Sequence, residues 1–140
     1  MNTIKFELQI LKDQKSVEYE GITYTNCAFI YLIVDDVNLF SDTEDRKGLI
    51  VWTELKKTRE LSGNSLLLTC HCGVADDAGF ELVEVKRKDN SVSWKFKDES
   101  NWDWEFPKTE YDLEIVRLAG EINQLDINIP LEPVYVLFPE

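Results

Sequence analysis

Phe80-Glu81-Leu82-Val83-Glu84-Val85-Lys86, then Lys88-Asp89-Asn90, then Ser91-Val92-Ser93-Trp94-Lys95-Phe96-Lys97, is the passage on which the fold turns. Two runs rich in β-branched and aromatic residues flank a short polar turn, the pattern of an antiparallel hairpin. On the second arm Val92, Trp94 and Phe96 alternate with Ser93 and Lys95, so one side meets a core and the other meets water. Trp102, Trp104 and Phe106 repeat the alternation and predict a third antiparallel strand. Pro107 suits the first turn of a helix, where its missing N–H costs nothing, and Glu110 complements the positive end of the helix dipole. Tyr111, Ile115, Leu118, Ile122 and Leu125 then recur at intervals of four and three, which predicts a helix over 107–125 whose apolar stripe covers the sheet.

The same signals extend towards the N-terminus. Ile4, Phe6, Leu8 and Ile10 alternate with Lys5, Glu7 and Gln9, a half-buried strand. Val17–Glu20 and Ile22–Tyr24 are extended around Gly21, with a bulge or turn at the glycine. Cys27–Val34 is continuously apolar and stops at Asp35-Asp36, as a central strand does. Ser41–Gly48 is a polar loop. Val51, Trp52, Leu55, Thr58 and Arg59 have helical spacing, which predicts a helix from Ile50 to Leu61, ended by Ser62-Gly63-Asn64. Its solvated side is Glu54, Lys56, Lys57 and Glu60. Ser65–Cys70 is a further strand. The tail, with prolines at 130, 133 and 139 around Val134–Phe138, is extended and a candidate edge strand. The expected architecture is α+β: an antiparallel β-sheet with one long C-terminal amphipathic helix and a shorter middle helix packed on it. With 140 residues and a hydrophobic fraction of 44%, the chain suits a single domain over 1–140.

The net charge of −12 repels nucleic-acid phosphates and anionic lipid and attracts cations. It is uneven: residues 1–70 hold 8 Lys/Arg and 11 Asp/Glu, whereas residues 71–140 hold 7 and 16. An asymmetry of this kind favours one acidic face over a uniform coat. No secretory leader pattern follows Met1, and the most apolar run, Ala28–Val34, is too short to span a bilayer. Three cysteines, two of them in a Cys-x-Cys pair, make no disulfide framework. A cytoplasmic protein is expected, without nucleic-acid or membrane partners.

Cys70-His71-Cys72-Gly73 looks most like chemistry. Zinc needs about four ligands, and the trio supplies three at most, with Cys27 the only other thiol. In a strand, moreover, His71 points away from both cysteines. Structural cysteines are the favoured reading, a redox role the lesser one. His71 is the only histidine, and sequence neighbours rarely form a nucleophile–base pair. Asp76-Asp77 lacks the further oxygen ligands of a calcium loop. Lys86-Arg87-Lys88, at the hairpin tip, balances nearby acids rather than binding a phosphate. No catalytic residue, metal or cofactor is expected.

Leu67-Leu68-Thr69-Cys70-His71-Cys72-Gly73, Ala78-Gly79-Phe80, Val92-Ser93-Trp94 and Trp104-Glu105-Phe106 with Tyr111 resemble an uncharacterised group of small bacterial proteins. That group has a Cys-x-Cys-Gly, a Cys-Ala-Gly, a hairpin with Val-x-Trp and an aromatic strand before an amphipathic helix. The resemblance covers about residues 49–125. It implies a bacterial origin and this same hairpin-and-helix fold, but no activity. Asp77 stands where the group has its later cysteine, so any metal site of the group is incomplete here.

The candidate functional surface runs from Asp98 to Glu114. Asp98, Glu99, Asp103, Glu105, Glu110, Asp112 and Glu114 face a single base, Lys108, with Trp102, Trp104 and Tyr111 interleaved. Acids steer a basic protein partner in, and desolvated rings hold it. Trp104 and Phe106 are expected to turn inward as core, while Trp102 is balanced between core and anchor. The expected function is an acidic intracellular binding protein, and its sharpest form is an immunity protein neutralising a basic bacterial toxin. The alternatives are a small housekeeping or regulatory domain and, less favoured because no nucleophile or base stands out, a small enzyme.

Overall fold

The computed structural model describes residues 1–19, 22–38, 49–69, 80–96 and 103–133. The alternation that begins at Ile4 opens a long hairpin. Strand β1 (Ile4–Tyr19) pairs antiparallel with β2 (Ile22–Val34), from Ile4 opposite Val34 to Tyr19 opposite Ile22, with a register shift between Leu11 and Ser16. Gly21, where a turn or bulge was expected, lies outside the described residues. Beyond β2, Asp35 and Asp36 adopt φ of 50° and 66°. Short acidic side chains tolerate this left-handed region, and the resulting tight turn returns the chain as β3 (Val37–Asn38).

The unbroken apolar run of β2 has a structural cause: the strand is buried on both sides. Ile30, Leu32 and Val34 join Ile4 and Phe6 in the main core. Cys27 and Phe29 face the other way and meet Leu11 and Leu49 in a second, smaller cluster. A strand covered on both faces has no polar side to alternate with.

A second sheet is an antiparallel meander of β4 (Leu49–Ile50), β5 (Gly63–Thr69), β6 (Phe80–Arg87), β7 (Ser91–Phe96) and β8 (Asp103–Pro107). The hairpin expected at residues 80–97 is present, with Arg87 opposite Val92 and Val83 opposite Phe96. Trp104 of β8 sits directly opposite Trp94 of β7. The α+β class is as expected, and among the described residues the molecule has two antiparallel sheets where one was expected. Alternation tells which residues turn inward, but it leaves open which strand lies beside which.

The helices differ in how well the sequence bounds them. Helix α2 (Lys108–Asn123) follows Pro107, its N-cap, and ends at Gln124, close to the expected limits. Tyr111, Ile115 and Leu118 are buried and Ile122 packs beside them against both sheets. The middle helix α1 (Trp52–Lys57) is half the expected length. Leu49 and Ile50 leave the helical pattern to pair with Thr69 and Leu68. The Val51 N–H bonds the Leu67 carbonyl at 2.9 Å, and past Lys57 the chain closes into tighter turns. Ladder bonds and full burial outweigh helical spacing at Leu49-Ile50-Val51, a run whose β-branched members prefer extended backbone.

Within the expected tail, Pro130 and Glu132 bond either side of Ala28 and form one parallel bridge at Leu131. Residues 134–140 lie outside the described residues. No helix among the described residues is long and apolar enough to cross a membrane.

Candidate partner-binding surface

The acidic stretch is continuous in sequence but divided in space. On β8, Trp104 and Phe106 turn to the core, so Asp103 and Glu105 turn to the opposite, outer face of the second sheet. The chain then passes into α2, which packs on the core side and carries Glu110, Asp112 and Glu114. Asp98, Glu99 and Trp102 lie outside the described residues, as do Cys70, His71, Cys72, Asp76 and Asp77.

Three of the five described acids are engaged within the chain. Glu105 meets Lys88 Nζ at 2.8 Å, and that bond holds its carboxyl below the usual carboxylate range. Asp112 takes both guanidinium nitrogens of Arg87, at 3.0 and 2.7 Å. Arg87 also donates to the Thr58 carbonyl at 2.8 Å, so one side chain ties β6, the end of α1 and α2 together. Glu114 accepts from the Phe6 N–H at 3.0 Å and from Arg117. Burial pushes the Glu114 carboxyl up, but the bonds from Arg117 and Phe6 outweigh it and leave the group below its ordinary value. Lys86, Arg87 and Lys88 do balance nearby acids, since Lys86 lies 3.2 Å from Glu84.

Asp103 and Glu110 are different. Both are exposed and neither has an ion pair among the described residues. Of the five described acids, these two are free to meet a partner.

The described rings among those interleaved, Trp104 and Tyr111, are not free. Trp94, at the centre, has the rings of Phe106 at 5.5 Å, Tyr111 at 6.1 Å and Trp104 at 6.3 Å. Tyr111 and Phe106 are fully buried, and Trp104 is half-buried against this cluster. The rings are core, as expected for Trp104 and Phe106; Tyr111, which also belongs to the helix stripe, serves the stripe alone.

Exposed apolar surface comes instead from residues that the sequence reading passed over. Leu113 is 62% exposed and Val116 is 45% exposed. Both lie on the side of α2 opposite Tyr111, Ile115 and Leu118, and Leu113 is one turn from Glu110. The signal was present, because residues 113 and 116 fall outside the four-and-three spacing of the buried stripe.

Behind β8 the outer face of the second sheet forms an open groove of about 450 Å³, lined by Glu84, Lys86, Lys88, Lys95, Asp103 and Glu105 among others. Acids and lysines are equal in number there, so the groove favours neither sign of ligand. Among the described residues no three His, Cys, Asp or Glu side chains come together as metal ligands. No family model, curated protein or solved structure matches the chain, so no activity can be carried to these residues from a relative.

Proposed function

We propose that this chain is an acidic binding module for a basic protein partner, acting by binding rather than by catalysis. An immunity protein that covers a basic bacterial toxin in the cytoplasm is the sharpest form of this reading. One observation carries it: in a chain of net charge −12, the carboxylate of Glu110, unpaired among the described residues, lies one turn from the exposed Leu113 on the open side of α2. Unpaired acid supplies steering, and apolar surface excluded from the core supplies a contact that gains by desolvation. Asp103 adds a second free carboxylate from β8.

The test is association with the partner isolated from the native host. The Asp103→Lys/Glu110→Lys variant is expected to bind more slowly and with a weaker dependence on salt. Its stability should change by less than about 0.5 kcal/mol, as is usual for exposed sites. Glu105 is left intact because its reversal would break the pair with Lys88. An acidic partner, or unchanged association kinetics, overturns the proposal.

A further inference from the structure

Among the described residues, the outer edge of β1 is occupied at Phe6 and without a partner at Leu8 and Ile10. In an antiparallel pair, alternate residues turn both main-chain groups away from the neighbouring strand. Two observations fix that phase here. The Phe6 N–H donates to Glu114 Oε1 at 3.0 Å, and the Phe6 carbonyl accepts from Arg117 Nη2. On β2, Ala28 lies opposite Ile10; its N–H reaches the Pro130 carbonyl at 2.8 Å, and its carbonyl accepts from Glu132 at 2.7 Å. Phe6, Leu8 and Ile10 therefore all direct N–H and C=O away from β2. At Phe6 the helix side chains fill both places as an added strand would. The outward groups of Leu8 and Ile10 meet no partner among the described residues. Past Leu11 the register shift ends the regular ladder.

We infer that this window, Leu8 to Ile10, is a strand-addition site that takes an extended basic segment of the protein partner, an assignment that rests on the binding function proposed above. An extended polypeptide is the ligand whose donors and acceptors repeat at the required spacing. Charge selects its composition. Glu7 is the one charged side chain between Phe6 and Leu11, and it is exposed. At the occupied end, Glu121 lies 2.8 Å from Arg117, so Glu114 and Glu121 together outweigh that single cation. Lys5, which acts on Glu114 through its charge, and the exposed Lys12 just past Leu11 offset two of these acids, so the net charge of −12 is what favours a basic segment. A second copy of the chain is disfavoured, because each brings a net charge of −12.

The probes are short synthetic peptides of alternating valine and lysine, or valine and glutamate, followed by NMR on the full chain. The valine–lysine peptide is expected to shift and protect the Leu8 and Ile10 amides. Ile10→Pro removes one outward donor while leaving the bonds to β2, a substitution that edge strands accept. It should weaken the peptide about tenfold, the worth of roughly 1.4 kcal/mol. Valine–lysine peptides N-methylated at alternate residues give the same test without altering the protein. One methylation phase should lose affinity by about tenfold and the other should keep it, since only one set of amides faces the edge. Unmoved Leu8 and Ile10 amides, equal loss in both phases, or equal binding of the valine–glutamate peptide overturns the assignment. A partner that is slowed by charge reversal at Asp103 and Glu110 yet binds folded Ile10→Pro with undiminished affinity overturns the edge site alone and leaves the binding function standing.

Discussion

Tyr111 stands in the middle of a chain of buried hydrogen bonds whose direction can be assigned. Trp94 Nε1 donates to the Tyr111 hydroxyl at 3.1 Å, that hydroxyl lies 2.6 Å from Thr58 Oγ1, and Thr58 Oγ1 lies 2.6 Å from the Leu55 carbonyl. A carbonyl only accepts, so Thr58 donates to Leu55 and Tyr111 donates to Thr58. Tyr111→Phe leaves the Trp94 N–H without its acceptor, and chemical denaturation should find a loss of about 1–3 kcal/mol. Burial pushes the Tyr111 hydroxyl from 10.0 up to about 12. The folded state thus keeps this proton where the unfolded chain releases it. The contribution is complete below pH 10 and is lost as pH rises towards 12, with a slope of roughly 1.4 kcal/mol per pH unit. Tyr111→Phe should lack that component of the alkaline slope, and an equally steep decline in the variant would refute it. The inward turn of Trp104 and Phe106 was legible from alternation alone. That Glu105, Asp112 and Glu114 are consumed by Lys88, Arg87 and Arg117 was not, because those partners lie on other strands or one turn along a helix whose rotation had first to be known.

Among the elements, α2 shows what periodicity can deliver. Spacings of four and three located its buried face, and the structure buries Tyr111, Ile115 and Leu118 there. Ile115→Asp should therefore cost several kcal/mol, on the order of a buried unpaired charge, and a melting temperature left unchanged would contradict that burial. Helix α1 shows the limit of the same rule. Val51 has helical spacing yet caps the helix, because Leu49 and Ile50 find ladder partners in β5. Tertiary pairing decided what local pattern could not. Strand β2 marks a different limit: its apolar run identified a covered strand, but only the positions of Leu11 and Leu49 show what covers the second face.

At the scale of the whole molecule, charge is the property that composition states most directly and places least. Residues 20–21, 39–48, 70–79, 97–102 and 134–140 hold nine acids and three bases, half of the net −12. Association with a basic partner should accordingly slow as salt rises, since exposed charges are screened beyond about 8 Å at physiological ionic strength. A rate independent of salt would separate binding from charge. Asn2 raises a different matter, that of time. Its N–H bonds the Glu105 carbonyl at 2.8 Å, and its Oδ1 accepts from the Glu105 N–H at 3.0 Å. Its amide also donates to Asp35 at 2.6 Å, which joins the turn beside the first sheet to the edge of the second. A clasp between residues 103 positions apart can close only after the chain between them has been ordered, because the entropy of so large a loop is lost before the clasp returns anything. It belongs on the native side of the folding barrier. Asn2→Ala should hasten unfolding and leave the refolding rate nearly unchanged in stopped-flow measurements, whereas slower refolding would place the clasp in the nucleus. The resistance of the native state to opening, as distinct from the speed with which it is reached, then resides partly in one amide next to the first residue of the chain.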